Sequence, residues 1–185
     1  MTQEKQNVSH LEIKSEYICE NQQGFIDDLL ATHEYLTTKL KVSDSTWDYG
    51  LYNIFAASSP SLHTYRLYEE IRYIVRQQIP EGRLWIQSWL NHHTGNQTLD
   101  WHQHTFPLHG YVCIDPKNSV TEFEDWKVEN EVGTIYLGPG HVKHRVLLND
   151  KYEGTRLTIG YDIVTEESLQ GDTSPSMNFG VIPLL

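Results

Sequence analysis

Residues 99–115 read LDWHQHTFPLHGYVCID and contain two short runs of β-branched and aromatic residues separated by a turn. Three histidines, His102, His104 and His109, fall within eight residues of this stretch. A strand normally avoids such a cluster, because every buried imidazole needs a hydrogen-bond partner. The stretch therefore raises two questions: which fold holds it, and which ligand its histidines bind.

Turn-forming sequences such as HHTGN, DPKN and GPG separate seven similar runs across residues 83–164. The runs are RLWIQSWLN, QTLDWHQH, LHGYVCI, SVTEFE, VGTIYLG, HRVLLN and TRLTIGYDIV. Short strands at this interval predict a sandwich or barrel. Ahead of them, residues 22–40 and 60–78 carry apolar residues at helical spacing, and Pro60 suits the first turn of the second helix. We therefore expect a mainly β fold with N-terminal helices packed against one face.

A chain of 185 residues is long enough to bury one core unaided, so we expect a single domain. Its parts are a helical or irregular region in residues 1–82, the β core in 83–164 and a tail in 165–185 whose apolar end docks. Residues 1–16 indicate either an edge strand or a loose arm, and residues 42–59 indicate a loop.

The formal net charge of -11 argues against general nucleic-acid binding, which needs clustered basic residues. The two cysteines are far apart, so we expect neither a disulfide framework nor a thiolate zinc site. The first residues lack the apolar run of a signal peptide, and no apolar segment is long enough for a membrane span. We expect a cytoplasmic protein that does not bind membranes; a homodimer is one of the assemblies open to it.

The alternation of side chains along a strand places His102 and His104 on one face, two residues apart, where both imidazoles can reach one metal ion. A third ligand is offered by GPGHVKHRV, and His144 is better placed than His141 because it begins a predicted strand. Imidazoles without thiolates suit iron, zinc, copper or nickel. Ordinary hydrogen-bonding roles are expected for the histidines at turn or opposite-face positions, His92, His93 and His109.

Three tracts, SWLNHHTGNQTLDWHQHTFPLHGYVCI, VGTIYLGPGHVKHRV and GTRLTIGYDI, resemble the small single-domain iron(II), 2-oxoglutarate-dependent oxygenases of bacteria and phages. The resemblance spans about residues 83–164 and implies a double-stranded β-helix, or jelly roll, related to the cupins. It implies Fe(II) and 2-oxoglutarate as cofactor and cosubstrate, and a small-molecule or peptide substrate that is hydroxylated or otherwise oxidised.

The resemblance also implies site residues. The implied iron ligands are His102, His104 and His144, and Arg156 is implied as the group that binds the distal carboxylate of 2-oxoglutarate. A guanidinium suits this role because it binds a carboxylate through two hydrogen bonds. Thr158 shares the strand face of Arg156 and is expected to line the same pocket.

One position departs from the pattern. The usual ligand set of such oxygenases is two histidines and one carboxylate, but His104 stands where the carboxylate is expected. Either three histidines bind the metal, or His104 supports the site from outside and a carboxylate comes from elsewhere. Asp100 shares a strand face with His102 and is the nearest such carboxylate.

Two alternatives remain open. A cupin also carries an HxH motif, and Gly133, Pro139 and His144 match the spacing of its second motif, although the glutamate expected after HxH is absent. Three-histidine cupins include dioxygenases, isomerases and small-molecule-binding proteins, and none of them needs Arg156. The second alternative is a non-catalytic jelly-roll binding protein with a degenerate metal site.

The sequence does not identify the substrate. Loops around STWDYGLYN and HHTGNQ, together with the tail, are the segments expected to shape its pocket. Some aromatic residues are candidates for the same wall, although core packing is the expected role of most of them: Trp85, Trp89, Trp101, Tyr111 and Tyr136.

Overall fold

The computed structural model describes residues 10–43, 51–170 and 180–184. The helices within these residues are α1 (Glu16–Glu20), α2 (Gln22–Thr38), α3 (Ile54–Ala57), α4 (Leu62–Gln78) and α5 (Glu166–Gln170). The first five strands are β1 (Leu11–Lys14), β2 (Leu84–Thr94), β3 (Leu99–His102), β4 (Leu108–Asp115) and β5 (Ser119–Phe123). The others are β6 (Lys127–Glu129), β7 (Thr134–Pro139), β8 (His144–Leu148), β9 (Thr155–Thr165) and β10 (Val181–Pro183).

The strands form two antiparallel sheets. The larger sheet has the order β1-β7-β4-β9-β2-β10, and the smaller has the order β3-β8-β5-β6. Each of the seven predicted runs contains a strand, and the short strands β1, β6 and β10 are additional. The predicted fold class, a mainly β jelly roll with N-terminal helices, is confirmed.

The helices cover the outer face of the larger sheet. Phe25 and Leu29 of α2 and Leu67 and Ile71 of α4 are fully buried in one cluster with outward-facing strand residues such as Ile159. Burial of this apolar surface is the main force that joins the helices to the sheet. Among the described helices, none combines the length and the hydropathy needed to cross a membrane.

The helix boundaries differ slightly from the prediction. Helix α4 is capped by Ser61, whose side chain accepts a hydrogen bond from the Thr64 backbone N–H, so Pro60 lies before the cap rather than in the first turn. Capping by a serine oxygen satisfies a backbone donor that the helix itself leaves free. Two of the apolar residues that the helical spacing counts toward the buried face, Leu62 and Tyr65, are exposed near the start of α4.

Both ends of the described chain join the larger sheet. Strand β1 pairs with β7, so the edge-strand alternative is correct for residues 11–14. Strand β10 pairs with β2, which confirms that the apolar end of the tail docks. The regions predicted as loop and tail also contain the short helices α3 and α5. Some parts of the predicted regions lie outside the described residues: 1–9 of the arm, 44–50 of the loop, and 171–179 and 185 of the tail.

The inner face of the larger sheet looks toward the smaller sheet and carries the polar residues of interest. Strands β2, β9 and β4 lie side by side, and their register places Asn91 opposite Thr158 and His109 opposite Asp162. Gly160 lies between Trp89 and Tyr111 in the same register. The strand pairing thus gathers polar side chains from three strands that are distant in sequence.

Candidate metal centre and cosubstrate pocket

The three predicted ligands, His102, His104 and His144, come together and are called the histidine triad below. Their ligating nitrogens all lie within 4.8 Å of one another. His102 ends strand β3 and pairs in register with His144, the first residue of β8. His104 lies two residues beyond the end of β3 rather than on the strand, yet its ring turns toward the same point.

The backbone holds His104 in place without a regular strand. Its N–H donates a hydrogen bond to the carbonyl oxygen of Gly140 at 2.8 Å. A side chain at residue 140 would place a Cβ 2.1 Å from the backbone oxygen of Phe106, so glycine is required for this close approach. The GPG turn before β8 therefore fixes the segment that carries His104.

Hydrogen bonds orient all three imidazoles in the same way. The Nδ1–H of His102 donates to the carbonyl oxygen of Asp100 at 2.7 Å, and the Nδ1–H of His144 donates to that of Val142 at 3.1 Å. The Nδ1–H of His104 donates to the Asp162 carboxylate. A neutral imidazole that is protonated at Nδ1 presents the lone pair of Nε2, which is the form a metal binds.

The Nε2 atom of His104 gives an independent test of whether a metal fits. It is buried and has no hydrogen-bond partner, although buried polar atoms are rarely left unsatisfied. A divalent ion bound by the triad would satisfy this atom. A donor set of three imidazoles, each of which donates a hydrogen bond from Nδ1 and so presents Nε2, fits a transition metal such as iron.

Burial keeps two of the triad imidazoles, those of His102 and His144, neutral. It lowers the pKa of His144 to about 2, with the positive charge of a protonated His109 as the next cause. Burial also lowers the pKa of His102, against the raising effect of its hydrogen bond to Asp100. Because a metal binds only the deprotonated imidazole, these two groups are ready to act as ligands at neutral pH.

Two further polar residues lie behind the triad, and neither was predicted as part of the site. Asp162 is almost fully buried, and its carboxylate oxygens lie 3.1 and 3.2 Å from His104 Nδ1. His109 Nδ1 lies 3.0 Å from the same carboxylate, and the His109 ring stacks on His104 with centroids 3.6 Å apart. His109 therefore faces the site, and its expected opposite-face position is wrong.

The sequence carried a partial signal for Asp162. It continues the period-two pattern of Arg156, Thr158 and Gly160 along β9, so it had to share their face. Burial by itself raises the pKa of the Asp162 carboxyl, but the hydrogen bonds from His104 and His109, together with the positive charges of these histidines when protonated, hold the pKa below its usual value. Asp162 is thus a buried carboxylate held in its charged form.

The histidine triad does not include three other residues considered from the sequence, Asp100, His141 and His92. The Asp100 carboxylate is exposed, accepts a hydrogen bond from the Trp101 backbone N–H, and belongs to neither group of clustered metal-ligating side chains in the described residues. His141 is exposed in its turn. His92 stacks on His33 of helix α2, at a centroid distance of 3.9 Å.

One cavity connects the triad with Arg156 and Thr158. Clefts in which a few polar side chains converge among apolar ones are the usual sites of small-molecule binding. Trp89 and Tyr111 line the same cavity. Trp101, another aromatic residue considered for this wall, is instead partly exposed beneath the guanidinium of Arg145.

Arg156 is a buried cation with no acidic partner. Its side chain is about 1% exposed, and Nη2 lies 2.6 Å from His93 Nδ1 and 3.3 Å from the Gln97 carbonyl oxygen. Burial lowers its pKa, and the nearby Tyr152 partly offsets this effect. Within the described part of the chain, no carboxylate forms an ion pair with this guanidinium, and its Nε has no hydrogen-bond partner.

Comparisons with known proteins give the fold but no sequence relative. No family model and no curated protein sequence matches the chain. Among solved structures, the α-ketoglutarate-dependent carbocyclase SnoK of nogalamycin biosynthesis is similar with a TM-score of 0.61 and 11% identity, over 85% of this chain and 80% of that one.

Two further solved structures are similar to this chain in fold. The α-ketoglutarate-dependent epimerase SnoN of nogalamycin biosynthesis has a TM-score of 0.59 and 10% identity, over 85% of this chain and 77% of that one. HygX from Streptomyces hygroscopicus, with iron bound, has a TM-score of 0.57 and 10% identity, over 86% and 83% of the two chains. At such low identity these likenesses establish the fold alone. The chain shares its jelly-roll fold with non-heme, α-ketoglutarate-dependent enzymes.

Proposed function

We propose that this protein is an iron(II), 2-oxoglutarate-dependent oxygenase that oxidises a small organic molecule or a peptide. The observation that carries the proposal is Arg156. It is a buried guanidinium without an acidic partner, and it lines the same cavity as three convergent imidazoles. A buried charge is costly unless it is paired, so this arginine calls for an anionic ligand within the cavity.

The histidine triad would hold the iron, and 2-oxoglutarate suits the space between the metal and the arginine. Its keto-acid end can bind a metal while its distal carboxylate pairs with the guanidinium of Arg156. Thr158, on the same strand face, lines the cavity and accepts a hydrogen bond from Asn91 at 3.1 Å. These two polar side chains would fix the orientation of the cosubstrate chain.

When bound, iron and 2-oxoglutarate would supply the oxidising chemistry: O2 and 2-oxoglutarate are consumed, succinate and CO2 are released, and the substrate gains an oxygen atom or loses hydrogen. The protein's own part is to bind and to exclude water. The fully buried strand residues around the cavity, together with Trp89 and Tyr111, limit the entry of solvent. Fixed imidazoles and a fixed guanidinium hold the reactants without reorganisation.

The test is succinate formation from 2-oxoglutarate by the purified protein, in the presence and absence of Fe(II) and O2. We expect succinate only when both are present, and we expect Arg156→Ala to lose 2-oxoglutarate binding in the metal-loaded protein. Arg83→Ala is the matched control, because that side chain is 78% exposed and lies outside the cavity.

The same experiment separates the alternatives. The set of three histidines without a carboxylate ligand favours a cupin-type metalloprotein as the second proposal. Metal binding with unchanged 2-oxoglutarate binding in Arg156→Ala would exclude the oxygenase and favour the cupin. A protein that takes up neither Fe(II) nor Ni(II) would instead be a non-catalytic jelly-roll binding protein.

A further inference from the structure

The proposed metal site leaves one charged group without a role. Asp162 is about 1% exposed, and its carboxylate faces the Nδ1 side of the triad ligand His104, where it forms a second cluster of metal-ligating side chains with His104 and His109. Its carboxylate accepts hydrogen bonds from the Nδ1–H groups of His104 and His109. Among the described residues, its ion-pair partners are these two histidines, and neither a lysine nor an arginine is among them.

This arrangement lacks a cation. A buried carboxylate is most stable when a permanent positive charge lies near it, but in the described part of the chain only histidines pair with this one. The proposed metal site, in contrast, lacks negative charge, because three neutral ligands leave the full charge of a divalent ion uncompensated. His104 connects the carboxylate to the proposed metal site, since its Nδ1 faces Asp162 and its unpartnered Nε2 can face an ion.

We propose that Asp162 supplies, through His104, the negative charge that the three-histidine ligand set lacks. This inference rests on the proposed metal site. Asp162 is a positioning residue: it selects the Nδ1-protonated form of His104, aims Nε2 at the ion and raises the basicity of that nitrogen. The carboxylate expected as a direct ligand is thereby replaced by one placed a single imidazole further from the ion.

His109 has a supporting role in the same unit. It donates to Asp162 Oδ1 at 3.0 Å, and its ring lies nearly parallel to that of His104, with an interplanar angle of 8°. The indole of Trp89 stacks near both rings, with centroids 5.8 and 6.1 Å away. The carboxylate and the His104 ring therefore have little freedom to turn away from the triad.

Ni(II) binding to the metal-free protein, measured by titration calorimetry, tests the inference. We expect Asp162→Asn to bind Ni(II) about 10- to 100-fold more weakly than the wild type, the range seen when partners of metal-ligating histidines are removed. Asp27→Asn is the matched control, because that carboxylate is exposed on helix α2, where it accepts a hydrogen bond from Gln23 and lies outside the cavity, so the Ni(II) affinity should not change.

A second measurement needs no variant and therefore stands even if Asp162→Asn fails to fold. Nitrogen-15 NMR of histidine-labelled, metal-free protein reports which ring nitrogen carries the proton. We expect His104 to be protonated at Nδ1 with Nε2 free. A His104 ring protonated at Nε2 alone would overturn the inference. Equal Ni(II) affinity in the wild type and Asp162→Asn would also overturn it. Failure of the wild type to bind Ni(II) or Fe(II) would overturn the metal site itself, a distinguishable result.

Discussion

Protonation of His109 is expected to destabilise the metal-free protein in mildly acidic solution. His109 is buried, and burial, followed by the charge of a protonated His104, lowers its pKa from 6.5 to about 4 despite the hydrogen bond to Asp162. Between these two values the unfolded chain binds a proton at this residue and the folded chain does not. The stabilising contribution of neutral His109 is therefore complete above about pH 6.5 and is lost as the pH falls toward 4.

The size of the effect follows from the two pKa values. At pH 5 the free energy of unfolding should be lower by about 2 kcal/mol than at neutral pH, and below pH 4 the loss should approach about 3 kcal/mol. These amounts are a large fraction of the stability of an ordinary domain. The change should be plain in a denaturation experiment.

The variant that isolates this effect is His109→Asn. An asparagine amide can donate to Asp162 much as the imidazole Nδ1–H does, but it does not titrate in this range. Guanidinium unfolding in the presence of a chelator at pH 7.5 and pH 5 gives the comparison. We expect the wild type to lose about 2 kcal/mol more than His109→Asn between the two pH values.

His141→Asn serves as the control, because His141 is exposed in a turn and its replacement should leave the pH dependence of the wild type unchanged. His144 is present in all three proteins, and because its pKa of about 2 lies far below pH 5, its contribution differs little among them between pH 7.5 and pH 5. Equal loss of stability in wild type and His109→Asn would refute the assignment of the acid sensitivity to this buried imidazole.

Three further predictions concern ligands and packing. Alanine at any member of the histidine triad should weaken Ni(II) binding by more than about 100-fold in calorimetry, and retained affinity would exclude that residue as a ligand. Arg156→Lys should raise the Kd for 2-oxoglutarate in the Ni(II)-loaded protein by about 10- to 100-fold, because an ammonium does not form the paired hydrogen bonds of a guanidinium; Arg83→Lys should leave it unchanged. Gly160→Ala should lower the free energy of unfolding by about 1–3 kcal/mol, because the new Cβ would lie 2.5–2.7 Å from three atoms of the Trp89 indole. An unchanged denaturant midpoint would show that the alanine side chain is accommodated and would contradict this prediction.

Local sequence patterns were sufficient to predict the strands and the convergence of the triad. Runs rich in β-branched and aromatic residues between turn sequences predict strands, and each of the seven predicted runs contains one. The three triad side chains come together as predicted, although His104 lies beyond the end of β3, where strand alternation does not place it. Two members of the triad are close in sequence, and the third begins a strand after a glycine-rich turn.

Helix ends were harder to predict than strands, because neighbouring residues are each typical of a helix start. Pro60 and Ser61 are both typical of a helix start, and only the hydrogen bond from the Thr64 N–H to the Ser61 side chain decides between them. Strand β10 and helix α3 are so short that they carry little periodicity of their own. They form where the larger sheet and its helices offer a surface to pair with or pack against.

By itself, the sequence determined which residues alternate together: Arg156, Thr158, Gly160 and Asp162 had to share one face of one strand, whatever that face met. Only the tertiary structure decided what it met. The pairing of β4 with β9 brings His109 beside Asp162, 53 residues away along the chain, and the turn before β8 brings His104 against both. Such contacts depend on the register of strands distant in sequence, which is set by the packing of the whole sheet and not by any local pattern.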